Sequence, residues 1–197
     1  MGRNIVNMKD GIHVLRDDGD SYILKKGSKD WIDGETKDTG ARFDDSCAVQ
    51  ISRVEYIVLG GWSSKKVRKY NVIDKKWVEM PDLKTIDYGY HACIFLPHAN
   101  PPYIIATGGN PSITTTELYY LNGTSELAGK LNFGRHYHNL VKVNENLPTV
   151  YVMGNKKEIE VWDEVNKQWN ITDIELNPRR TYYGAIAVPQ HTVCSDN

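Results

Sequence analysis

Three histidines (His91, His136 and His138), three cysteines and two Asn-x-Thr tripeptides are the groups in this 197-residue chain whose types and spacing could do chemistry. A zinc site needs ligands that converge with coordination left to fill. His91 and His138 lie 138 − 91 = 47 positions apart, and no short ligand spacing accompanies them, so no metal is expected. A catalytic serine of the hydrolase kind would sit in a glycine-flanked elbow, and no such pattern is present. Gly60-Gly61 and Gly108-Gly109 end apolar runs without a helix pattern after them, which excludes a phosphate loop. The expectation is no catalytic residue, no cofactor and no enzyme.

Cys47, Cys93 and Cys194 make an odd number. Cys47 and Cys93, read as equivalent positions on neighbouring strands, are expected to lie too far apart to bond. With Cys194 in a polar tail, the three read as reduced thiols. Asn122-Gly-Thr and Asn170-Ile-Thr are glycosylation sequons that matter only in a secreted protein. The N-terminal stretch MGRNIVNMKD carries no signal-peptide core, so the expectation is a cytoplasmic, unmodified chain. No apolar run approaches a bilayer-spanning length, and the mean hydropathy is −0.51. With 24 basic and 25 acidic residues the net charge is −1, which leaves no electrostatic footprint for nucleic acid. Neither a membrane nor a nucleic acid is expected as partner.

The elements that must position these groups announce themselves by repetition. In YIVLGGWSSKKVRKYNVIDKKW (residues 56–77), a short apolar strand stops at Gly60-Gly61, a second strand runs from Val67 to Val72, and Trp77 begins a third. Trp31, Trp77 and Trp169 are separated by 77 − 31 = 46 and 169 − 77 = 92, twice 46. YNVIDKKW (70–77) returns as WDEVNKQW (162–169), and YLNGTSEL (120–127) stands between them with Leu127 in the tryptophan position. The glycines return in YIIATGG (103–109) and, reduced to one, in YVMG (151–154). A small-residue strand recurs at the same step: SCAVQI (46–51), HACIFL (91–96), HNLVKV (138–143) and GAIAV (184–188). A period near 46 with about four strands per unit describes blades, each unable to bury its two apolar faces alone. Small residues suit the crowded axis, and Trp31, Trp77, Trp162 and Trp169 are expected as buried wedges between blades.

The order arginine, small-residue strand, Tyr-x-x-x-Gly-Gly, then two aromatics seven apart resembles the kelch repeat. The fullest copy runs from Arg42 to Met80; weaker copies run from Asp87 to Leu131 and from Arg135 to Ile174. The chain departs from that pattern at Gly154 (one glycine), at Leu127 and at Asp87. The resemblance covers roughly residues 10–189 and implies an all-β propeller of about four four-stranded blades in a single domain over 1–197. The units are expected near 10–35, 42–82, 87–131 and 135–174, followed by a strand at 182–188 and a polar tail at 189–197. The first unit lacks a small-residue strand and the chain ends on one. Residues 182–188 are therefore expected to pair with the strand near Ile12–Leu15 and close the ring, with an open partial ring as the alternative.

Kelch propellers bind partners on loops at one end of the axis, and such loops carry function on a rigid scaffold. The resemblance implies a protein-interaction module, a substrate-recognition or scaffold part of a larger assembly. Its rim residues would be Arg42, Trp62, Tyr88, Tyr90, Asn110, Arg135, His136, Asn155, Arg180 and Tyr182. Arginine and tyrosine favour binding hot spots and would suit an acidic peptide; Arg42, Arg135 and Arg180 serve equally well as loop braces. The family also implies ubiquitin-ligase components or actin as partner classes. The alternative is a kelch-like propeller enzyme acting on a sugar, of oxidase or mutarotase type.

Overall fold

The computed structural model describes residues 4–16, 20–34, 43–85, 89–143 and 149–177. Sixteen strands form four antiparallel four-stranded sheets, and no helix occurs among the described residues. The first sheet contains β1 (Asn4–Asn7), β2 (Gly11–Leu15), β3 (Ser21–Lys25) and β4 (Trp31–Asp33) in sequence order. The second contains β5 (Cys47–Gln50), β6 (Glu55–Leu59), β7 (Val67–Asn71) and β8 (Lys76–Met80). The third contains β9 (Ala92–Leu96), β10 (Tyr103–Thr107), β11 (Thr116–Tyr120) and β12 (Ser125–Leu127). The fourth contains β13 (Asn139–Val143), β14 (Thr149–Met153), β15 (Glu158–Asp163) and β16 (Gln168–Glu175). Sheets touch in succession through their first strands, β1 to β5, β5 to β9 and β9 to β13, as blades do around an axis.

Each gap between sheets is filled by its own core. Val6, Leu15, Phe43, Tyr56 and Tyr70 pack between the first and second sheets. Val49, Ile57, Leu59, Ile104 and Tyr119 pack between the second and third, and Tyr103, Leu118, Val152, Trp162 and Trp169 between the third and fourth. Three cores join four sheets, where a closed ring would need a fourth; among the described residues the sheets form an arc.

Trp162 and Trp169 are buried wedges, paired across β15–β16, and their indole N–H groups donate to Tyr103 Oη at 3.2 Å and Thr116 Oγ1 at 2.9 Å. Trp77 pairs with Tyr70 and lies partly buried against Phe43 and Tyr56. Trp31 departs from expectation. It pairs with Leu24 in the position Trp77 takes against Tyr70, yet it is 50% exposed. The aromatic pairs Tyr70–Trp77 and Trp162–Trp169 each pack on the preceding sheet, and the first sheet has no described predecessor. Leu127 is a second correction. Tyr119 pairs with Ser125, six positions on, so this hairpin is one residue shorter and Leu127 lies exposed, opposite Glu117.

The expected pairing of residues 182–188 with the strand near Ile12–Leu15 is overturned. β2 already has β1 on one side and β3 on the other, so no edge remains for residues 182–188, which lie outside the described residues. The small-residue strand thought missing from the first unit is β1, disguised by an asparagine at each end. Asn4 even ties the first two sheets together: its amide donates to Ser46 Oγ at 2.8 Å and its Oδ1 accepts from Ala48 N–H at 3.1 Å.

The cysteine expectation is overturned as well. Cys47 and Cys93 form a disulfide with Cα atoms 5.9 Å apart, inside the normal range. The reason is register. Cys47 pairs with Leu59, one residue before its glycine pair, whereas Cys93 pairs with Ala106, two residues before the next pair. They are therefore offset by one position, and neighbouring strand positions point to opposite faces. One sulfur faces forward from the second sheet and the other faces back from the third.

Candidate functional site

First strands enter the sheets at one end of the axis, and the same end receives the loops that follow the glycines. The sequence dictates how these loops dock. Gly60 and Gly108 have φ of +60° and +72°, a region L side chains rarely adopt. A Cβ on Gly60 would come within 2.9 Å of His91 Cε1, and one on Gly108 would meet His138 and the Arg135 carbonyl, the latter at 2.7 Å. Each histidine, buried at the mouth of its own sheet, thus seats on the bare glycine of the preceding sheet. This is what His91 and His138 do; among the described residues no group of histidine, cysteine and carboxylate side chains could hold a metal.

Backbone bonds continue the pattern around the mouth. Tyr90 N–H donates to the Asp45 carbonyl at 3.0 Å and Tyr137 N–H to the Tyr90 carbonyl at 3.2 Å, while Trp62 N–H reaches Asp44 and Asn110 N–H reaches Gly89. Asp45, Tyr90 and Tyr137 occupy equivalent positions and all have positive φ, +55°, +66° and +50°. For a tyrosine that conformation is an outlier costing about 1–3 kcal/mol, of the kind that collects at binding sites. It turns the rings toward each other. Trp62 and Tyr90 meet edge-on with centroids 6.0 Å apart, Tyr90 and Tyr137 lie 3.9 Å apart, and Tyr137 and His136 5.0 Å apart. A continuous aromatic ridge spans three sheets, and Trp62 stands 55% exposed at its outer end.

His136 is held by its neighbours. Ser112 Oγ and Asn155 Nδ2 both lie on its Nδ1, at 2.6 and 2.9 Å. An amide N–H only donates, so Nδ1 accepts and the proton of the neutral ring sits on Nε2. Ser112 and Asn155 have positive φ too, +61° and +60°, which aims their side chains at the ring. The Ser–His contact has the length of a catalytic pair, but Nδ1 is shared with Asn155. The nearby amides of Ile113 and Arg135 bond backbone carbonyls instead of an open oxyanion position.

Arg135 is not a contact residue, which corrects its place on the rim. Its guanidinium is fully buried and binds Glu160 Oε1 through Nε (3.1 Å) and NH2 (3.0 Å), and the carbonyls of Gly154 (2.8 Å) and Glu158 (2.7 Å). Glu160, equally buried, also accepts from Asn132 N–H at 2.7 Å. The third sheet uses the same device without an arginine: buried Glu117 accepts from the backbone amides of Lys84 (2.6 Å) and Thr85 (3.1 Å), and from Ser125 Oγ. These glutamates were missed in the sequence; their equivalent places on β11 and β15 were the available signal. Asn155 is buried and acts through His136. Trp62, Tyr90, Asn110 and His136 are brought to one end, together with Tyr137 of the same loop as His136 and with Ser112, which the loop pattern did not pick out. Arg42, Tyr88, Arg180 and Tyr182 lie outside the described residues.

No family model matches the sequence, and no curated protein does. A solved structure does: the structure of YjhT superposes with a TM-score of 0.69 at 14% identity, over 90% of this chain and 66% of that one. The fold is propeller-like. The chain spans 66% of that neighbour's length, and at so low an identity the likeness speaks for the fold and nothing further.

Proposed function

We propose that the chain is a kelch-type protein-interaction module that takes a partner protein or peptide on the rim, with Trp62, Tyr90, Tyr137 and His136 as contacts. The observation that carries this reading is the ridge of strained aromatics. Two tyrosines held at positive φ next to an exposed tryptophan cost stability, and flat, rigid aromatic anchors are what interfaces use. The preference for an acidic ligand loses one of its three arginines, because Arg135 is spent on Glu160; the described rim contributes Asp44 and Asp45 instead. The inter-sheet disulfide weighs against ubiquitin-ligase components and actin, which work in a reducing compartment.

The test is affinity capture with wild type beside a Trp62→Ala, Tyr137→Ala double variant that keeps its melting temperature. Loss of a specifically captured protein in the variant is expected. Equal capture by both would move the binding surface elsewhere. A sugar turnover screen on the same two proteins, with Ser112→Ala added, separates the enzymatic alternative.

A further inference from the structure

We propose that this protein matures in an oxidising secretory compartment and carries N-linked glycans on Asn122 and Asn170. Two independent features converge on this. The first is the Cys47–Cys93 disulfide, a bond of a kind that persists outside reducing compartments. It ties consecutive sheets at the axis, where the first strands are in contact.

The second is where the fold puts the two sequons. Asn122 lies at the tip of the β11–β12 turn and Asn170 on the outermost strand β16, and both are exposed. The Asn122 turn is already shaped: Thr124 N–H and Thr124 Oγ1 both donate to Asn122 Oδ1, at 3.0 and 2.7 Å. The hydroxyl the sequon requires thus sits on the amide to be modified. On β16, Thr172 Oγ1 donates to the Ile159 carbonyl at 3.0 Å, and Asn170 pairs with Val161 at the sheet's outer edge. Because β10 climbs to its glycines and β11 descends, the β11–β12 turn lies at the end opposite the rim. Asn170 lies near the start of β16, also toward that far end. Sugars there would leave the aromatic ridge open.

In the transfer, the asparagine Nδ2 forms a bond to the anomeric carbon of an oligosaccharide donated by a lipid pyrophosphate. The bond from that carbon to the phosphate oxygen breaks, the lipid pyrophosphate leaves, and the amide nitrogen gives up one proton. No oxidation accompanies the step.

The test uses the endogenous protein, recovered with an antibody raised against the 197-residue chain and analysed by intact mass before and after a glycan-releasing amidase. Two discrete mass steps are expected, with aspartate at 122 and 170 in the released peptides. Alkylation before reduction should leave Cys47 and Cys93 unlabelled. In the same cells, Asn122→Gln and Asn170→Gln should each remove one step; if either fails to accumulate, Thr124→Ala or Thr172→Ala destroys the same sequon while keeping the asparagine. Unmodified asparagine at both positions, or Cys47 and Cys93 labelled as free thiols, overturns the proposal.

Discussion

At the scale of single residues, two buried groups dominate what the protein will tolerate. Arg135 and Glu160 are each fully buried and paired with one another, the remaining bonds going to the Gly154 and Glu158 carbonyls and to Asn132. Removing one partner strands the other charge, so Arg135→Ala should cost about 3–5 kcal/mol. Urea unfolding checks this, and an apolar pair such as Arg135→Met with Glu160→Leu should recover most of the loss. His138 is the second. Burial, then the charges of Arg135, His91 and His136, push its pKa down to about 3. An unfolded histidine titrates near 6.5. Between those values the unfolded chain takes a proton that the folded one refuses, so stability is full above about pH 6.5 and falls as pH drops toward 3. The slope approaches about 1.4 kcal/mol per pH unit. Unfolding midpoints from pH 7 to pH 5 should therefore fall more steeply for wild type than for His138→Gln; parallel lines would remove His138 from the account.

At the scale of elements, the histidine-on-glycine seat and the disulfide set the spacing of the sheets. Gly60→Ala adds a Cβ at φ +60° against His91 and should cost roughly 1–3 kcal/mol, part of it returned by His91→Ala in the same chain. The disulfide closes a separation of 46 residues, for which chain entropy gives about 4 kcal/mol; the Cys47→Ser, Cys93→Ser variant measures it. Strand identity was legible in the sequence, because apolar runs, Gly-Gly stops and aromatic pairs are local signals. Register was not. A spacing of 46 made Cys47 and Cys93 look equivalent, whereas the first strands that carry them step by 90 − 45 = 45, from Asp45 to Tyr90. One residue of drift reverses the face on which a side chain emerges, and only pairing fixes it. The rim was half legible for the same kind of reason. Trp62, Tyr90 and His136 fell out of the loop pattern, but that Arg135 would turn inward depended on a glutamate on a different strand.

At the scale of the whole molecule, the described residues leave the face of the first sheet that carries Trp31 uncovered, and that has a measurable signature. Trp169→Ala should cost about 3–5 kcal/mol as a buried wedge, whereas Trp31→Ala should cost well under about 1 kcal/mol, the range of an exposed position. Equal costs would mean that something covers Trp31 after all. The seat of each histidine on the preceding glycine has a different kind of consequence, for assembly by parts. His91 and His138 make the same fit to Gly60 and Gly108, and their positions differ by 138 − 91 = 47. The third and fourth sheets therefore each carry a plug on the leading edge, the second and third each carry a socket on the trailing edge, and these parts are interchangeable along the chain. Excising residues 88–134 would remove one whole module and bring His138 onto Gly60, with Tyr137 following Asp45 around the mouth. The joint would accept the shortened chain, but the sulfur of Cys47 would then face Leu140. In this molecule the plug and socket say that two modules fit together, and the disulfide says which two.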